Sequence, residues 1–181
     1  MPSTARYTRT AIGLHWLVGI AIIATFSLGL YMHELPLSPD KLKLYSWHKW
    51  TGVTIFLLVL ARIVWRLSHR PPAPVAGMPA WQRSAAETVH VLLYVLMVVV
   101  PISGWLMSSA KGVPTVWFGV LPLPDLLEKS KELGDLLATV HKTLNLGMAA
   151  LVLIHAAAAL KHHLIDRDEV LARMLPFLKK P

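Results

Sequence analysis

The chain has no cysteine. That excludes disulfides, thiolate metal sites, iron–sulfur clusters and covalent c-type haem attachment. Charge is also scarce: Asp, Glu, Lys and Arg make up 15% of the residues, against about 25% in soluble domains. Acidic residues are the scarcer kind, 10 against 18 Lys and Arg, and the net charge is +8. The basic residues flank apolar runs and form no stripe of their own. They therefore point to anionic lipid and a positive-inside topology, and not to nucleic acid. The first apolar run has no Ala-x-Ala-type site behind it. At ~23 residues it is long enough to span a bilayer, so it reads as a membrane helix and not as a cleavable signal.

What is present is mostly apolar. Hydrophobic residues make up 55% of the chain, and the mean hydropathy is +0.53. The expected fold class is all-α, an integral membrane four-helix bundle forming one unit over 1–181. Spans are expected over 10–32, 46–67, 84–109 and 139–163, and the charged tail 164–181 reads as a short amphipathic helix on the membrane surface. Pro36 and Pro39 mark 33–45 as a loop, and the proline-rich 68–83 reads as an exposed connector. Pro101 predicts a kink in the third span. Trp117 and Phe118, in the long loop 110–138, suit the membrane interface. Arg62 and Arg66, four apart, are expected to snorkel to the surface together.

Four spans return the chain to the side it started from. Eleven of the 18 Lys and Arg fall on the side that holds both ends and the 68–83 connector. That asymmetry predicts both termini in the cytoplasm.

The fourth span carries His141 and His155, 14 residues apart. On an α-helix this is ~21 Å of rise and a return to within ~40° of the same face. Imidazoles inside a membrane are costly and point to function. His15 lies near the cytoplasmic end of the first span, at the depth of His155. His48 opens the second span at the depth of His141. Two pairs of neutral imidazoles from facing helices are what two haem b groups need as axial iron ligands, one held by His15 and His155, the other by His48 and His141. A single zinc would need its ligands at one depth. Gly13, Gly19, Gly52 and Gly147 lie near these histidines and would relieve crowding against a porphyrin, Gly19 and Gly52 foremost. His90 sits at the depth of His15 and His155. It either replaces one of them or is hydrogen-bonded near Glu87 or a haem propionate. His162 shares the face of His155 one step nearer the cytoplasm. It suits a proton donor to a quinone, or else an interfacial side chain reaching water. His33 and His69 read as solvated loop residues.

The stretches IGLHWL at 12–17, WHKWTG at 47–52, ETVHVLLY with PISGW across 87–105, and VHKTLNLGMAALVLIHAAAALKHH at 140–163 resemble the bacterial cytochrome b561 family, which groups with the cytochrome b subunits of nickel–iron hydrogenases. The likeness covers nearly the whole chain. It implies a dihaem b protein of the bacterial inner membrane that takes electrons from superoxide outside and passes them to ubiquinone. Residue by residue, the family's ligands fall on His15, His48, His141 and His155, and its quinone-side histidine on His162. Arg83 and Arg70 are on the same side as possible quinone contacts. Lys49 and Lys142, near the outer pair, are candidates to attract the superoxide anion; the alternative is that they hold propionates or headgroups. A second reading is an electron-transfer subunit that docks a redox partner protein, such as a dehydrogenase or hydrogenase, through 110–138. A third is a non-enzymatic bundle with structural histidines.

Overall fold

The structure is a computed structural model that describes residues 6–75 and 77–178. Four long helices account for most of it: α1 Arg9–Glu34, α2 Pro39–Ser68, α3 Ala80–Ala110 and α4 Lys131–Lys161. All four are long and apolar enough to cross a membrane. The chain is an all-α membrane four-helix bundle, as its composition predicts.

Helices α1, α2 and α4 each begin at a side-chain cap, which is earlier than the apolar run. Thr8 accepts the Ala11 N–H at 3.2 Å and starts α1. Ser38 accepts the Lys41 N–H at 3.2 Å, Pro39 takes the first helical position, and Asp40 meets the helix dipole. Residues 39–45 are therefore helix and not loop. Pro39 does not break the chain because the first turn of a helix has no use for its missing N–H. Ser130 in the same way caps α4 at 3.3 Å from the Leu133 N–H, so 131–138 also belong to a helix. Gly112, at φ +66°, ends α3 in the left-handed conformation that glycine accommodates. The α3 helix is unbroken across Pro101.

Two further expectations are corrected. The connector 110–138 holds a small antiparallel hairpin, β1 Val116–Trp117 against β2 Leu121–Pro122. The tail does not form an amphipathic helix. A π-helical turn covers His162–Asp166, Arg167 stands at φ +53°, and 167–178 run in turns. The left-handed Arg167 ends the helical path of α4, and Pro176 has no N–H with which to extend another. Lys179 and Lys180, which count toward the predicted orientation, lie outside the described residues.

The bundle centre is small. Val18, Ile55, Val59, Met97, Val100 and Met148 bury together, with at least one from each helix. Outside it the helices stay apolar: Leu17, Ile20 and Ile23 on α1, Val64 on α2, Val95 on α3 and Leu153 on α4 are all exposed. Only 6% to 22% of each apolar stretch is buried within the protein, so the remainder is a surface for hydrocarbon. The α3 helix packs most closely on α4 and α1 on α2, with α2 joining the two halves; α1 and α4 make no extended contact.

Indole N–H groups fasten the ends. At the end holding both termini, Trp16 donates to the Met174 carbonyl at 2.8 Å and Trp65 to Thr8 Oγ1 at 3.0 Å. At the other end, Trp50 donates to the Val116 carbonyl at 2.6 Å, Trp105 to the Pro124 carbonyl at 3.0 Å, and Trp117 to Thr54 Oγ1 at 3.3 Å. Trp117 thus packs against α2, while Phe118 is exposed.

Val59 is fully buried and Val64 on the same helix is 65% exposed. Val59→Ala should cost about 2 kcal/mol by leaving a cavity, a fall of ~4–8 °C in Tm. Thermal unfolding in detergent should show this loss, and Val64→Ala should melt close to the parent.

Candidate functional site

The four histidines of the predicted constellation come together in two pairs. His48 of α2 and His141 of α4 have ring centres 6.4 Å apart with planes at 83°. His15 of α1 and His155 of α4 are 6.1 Å apart at 69°. A metal–imidazole bond of about 2.0–2.1 Å, with ~1.1 Å more to the ring centre, puts two imidazoles on opposite sides of one metal ~6.3 Å apart. Both pairs have that spacing. A pair in direct hydrogen bond or stacked contact would sit closer, as His69 does on Trp65 at 3.9 Å.

Local sequence shapes the His48–His141 pair. A Cβ on Gly29 would lie 3.1 Å from His48 Cε1, and one on Gly104 would lie 3.0 Å from His141 Cε1. Both glycines are there so that an imidazole can press against a helix backbone. Ser103 then sets the proton on His141. Its hydroxyl donates to the Val100 carbonyl at 2.7 Å, so Oγ is left to accept from Nδ1–H of His141 at 2.9 Å. Nε2 therefore keeps its lone pair for a metal. Asn145 Nδ2 donates to the His141 carbonyl at 2.7 Å. The ring of His48 has the Thr25 backbone carbonyl within reach, but its buried Nδ1 lacks a hydrogen bond of full geometry. A mostly apolar cavity opens between the two rings, walled by Phe26, Gly52, Ile55, Met97, Pro101 and Met148. The donor set, its tautomer and the apolar walls fit a haem.

The His15–His155 pair is more crowded. His90 of α3 approaches the His155 ring to 5.2 Å at 65°. That is about 1 Å short of the spacing for two ligands across a metal, so His15 and not His90 has the ligand geometry. His90 lies against His155 and not beside Glu87, which pairs with Arg83 at 3.6 Å. Arg62 does not snorkel: its Nη2 donates to His15 Nδ1 at 3.0 Å, and its guanidinium lies 5.2 Å from the Tyr94 ring centre. Arg66 remains exposed and covers the same ring at 5.6 Å. A cation–π contact and a histidine acceptor, both inside the bundle, outweigh the pull of water on Arg62. A Cβ on Gly13, Gly19, Gly52 or Gly147 would meet nothing within 4 Å, so open space lies at all four.

The remaining candidates divide between the ends. Lys49 donates to the carbonyls of Val113 at 2.9 Å and Pro114 at 3.4 Å, which pins its ammonium to the connector after α3. Lys142 and Arg70 are exposed. His162 Nδ1 lies 2.6 Å from Asp168 Oδ2. Gly29, Gly104, Ser103 and Arg62 were not among the sequence-predicted site residues. The PISGW stretch holds both Ser103 and Gly104, and their spacing on α3 from His141 is a tertiary fact. Arg62 stands one helical turn inside the end of its apolar run, which was the available sign that it faces inward.

The family model described as prokaryotic cytochrome b561 matches residues 6–177. The chain is 34% identical over 171 residues to cytochrome b561 homolog 2 of Escherichia coli (strain K12), covering 94% of this chain and 91% of that protein. It is 30% identical over 173 residues to cytochrome b561 homolog 1 of the same organism, covering 94% and 97%. To the probable superoxide oxidase CybB of Yersinia pestis it is 28% identical over 172 residues, covering 94% and 96%.

Ser103→Ala removes the acceptor that holds the His141 tautomer. Haem transfer from the purified protein to an apo-haem acceptor should show affinity at this pair falling about 10–100-fold.

Proposed function

The chain belongs to the prokaryotic cytochrome b561 family, and we propose that it is a dihaem superoxide:ubiquinone oxidoreductase of the bacterial inner membrane with both termini in the cytoplasm. It is a membrane electron-transfer protein of a family that binds b-type haem. The observation that carries the finer reading is the spacing of two histidine pairs, 6.1 and 6.4 Å, each drawing one member from α4. The substrate comes from the relative whose printed name is probable superoxide oxidase.

His48 and His141 would hold one haem and His15 and His155 the other. Bound haem supplies reversible one-electron chemistry at iron. The protein supplies the geometry. Ser103 keeps His141 Nε2 open for ligation, and Gly29 and Gly104 let both rings seat. The Lys49 ammonium, held by the Val113 and Pro114 carbonyls, and the exposed Lys142 put positive charge at the end where an anion would arrive. Over the whole reaction two superoxide ions become two molecules of oxygen, and ubiquinone takes two electrons and two protons. The protons are needed at the end holding His162, with Arg70 and Arg83 nearby. Arg83 is engaged by Glu87, which favours Arg70 as the quinone contact of the two. The segment 111–130 is fastened to α2 through Lys49, Trp50 and Thr54. This supports a free-standing enzyme over a subunit that offers the loop to a docking partner.

Purified protein in ubiquinone-loaded vesicles should form ubiquinol when an enzymatic superoxide source is added. No quinol above protein-free vesicles would sink the reading. Haem analysis should return about two haems per chain, and His141→Ala should lose one and keep the other; loss of neither overturns the pairing.

A further inference from the structure

His162 closes α4 and opens the π-helical turn His162–Asp166. Such turns re-aim side chains at the cost of regular helix geometry. Arg167, at φ +53°, then reverses the backbone, and the Asp168 N–H returns to the His162 carbonyl at 3.1 Å. The result brings the Asp168 carboxylate onto the His162 ring, Oδ2 2.6 Å from Nδ1. Both side chains are largely sheltered, 14% and 18% exposed. Asp166 is also near, its Oδ2 3.3 Å from the same nitrogen. Its charge, however, is matched by Lys161, whose Nζ donates to its two oxygens at 2.9 and 2.6 Å. Asp168 Oδ1 accepts the Val170 N–H at 2.9 Å, which locks the carboxylate and aims Oδ2 at the ring.

We propose that Asp168 is a positioning residue that makes His162 the proton donor to the reduced quinone, a role that rests on the quinone reading above. A carboxylate only accepts, so His162 Nδ1 carries a hydrogen in every state. Nε2 alone is free to exchange. The imidazolium gives its Nε2 proton to a quinone oxygen that has gained an electron. The N–H bond breaks, an O–H bond forms, and the ring relaxes to the neutral Nδ1–H tautomer without leaving Asp168. No electron passes through His162. Water then returns a proton to Nε2, and two such cycles supply the two protons of the quinol. An unpaired histidine would spend part of its time as the other neutral tautomer, with Nε2–H in place and nothing to drive its release.

Asp168→Asn separates the two roles of the side chain. The amide oxygen still accepts the Val170 N–H, so the turn keeps its cap. The amide nitrogen now faces His162 Nδ1 and donates to it, which forces the hydrogen to Nε2. That ring cannot become an imidazolium in place. In ubiquinone vesicles, kcat for superoxide-driven quinol formation should fall about 100-fold, within the range for losing a general acid. KM for quinone and the rate of haem reduction by superoxide should stay unchanged, so reduced haem should accumulate in the steady state. Asp168→Glu should recover most of kcat. Independently of turnover, nitrogen-15 spectra of His162 should show Nδ1–H in the parent and Nε2–H in Asp168→Asn. Wild-type kcat in Asp168→Asn overturns the role of Asp168 and leaves the quinone reading standing. A loss that travels with haem content and is not recovered by Asp168→Glu overturns it as well, in favour of a purely structural turn. A parent protein that forms no quinol removes both.

Discussion

Hydrocarbon offers no hydrogen-bond partner, and the placement of the polar groups between the ends of the four helices follows from that constraint. Backbone groups are consumed within the helices. Hydroxyls fold back on carbonyls of their own helix, as Thr54 does on Trp50 at 2.8 Å. The histidines inside the spans pair across helices instead, as Ser103 with His141 and Arg62 with His15. They face one another across the bundle axis. Once α4 carries two of them 14 residues apart, the other helices must each bring a partner to one of two levels. The modest central core of Val18, Val59, Met97 and Met148 sits between those levels and divides them.

Much of this arrangement is visible in the sequence, for a reason peculiar to membrane helices. Apolar runs mark the spans, and helical periodicity then gives depth and facing together. That is how His15, His48, His141 and His155 sort into pairs without a structure. Helix ends are less visible in hydropathy because a helix continues past the apolar layer until its cap. Ser38–Pro39–Asp40 and Ser130 carried that information as capping chemistry, and the prolines were read as breakers. The tail was misjudged for the opposite reason. Its charge pattern suits an amphipathic helix, but a left-handed Arg167 and contacts to Trp16 take the chain elsewhere. Ser103, Gly29 and Gly104 acquire their roles only through tertiary neighbours, and no pattern along the chain encodes which glycine meets which ring.

The two ends of the molecule are built differently. The hairpin end is closed by indoles donating to carbonyls and by Lys49 reaching across to 113–114. The other end is closed by the chain's own tail, with Arg173 Nη1 donating to the Ala73 carbonyl at 2.7 Å and Trp16 to Met174. The first is a cover fastened to α2 and α3 by side chains donating to its carbonyls. The second is a strap of turns tied to Trp16 of α1 and to Ala73 of the connector.

The hydrogen bond from Arg62 to His15 fixes where that ring carries its proton. A guanidinium only donates, so His15 Nδ1 is an acceptor and its proton sits on Nε2, the nitrogen that a metal would need. His141 is already in the opposite, metal-ready tautomer because of Ser103. The two histidine levels are therefore opposite in tautomer. Near the hairpin Nε2 of His141 offers a lone pair as it stands, whereas near the tail Nε2 of His15 offers one only after Arg62 leaves and the proton crosses the ring.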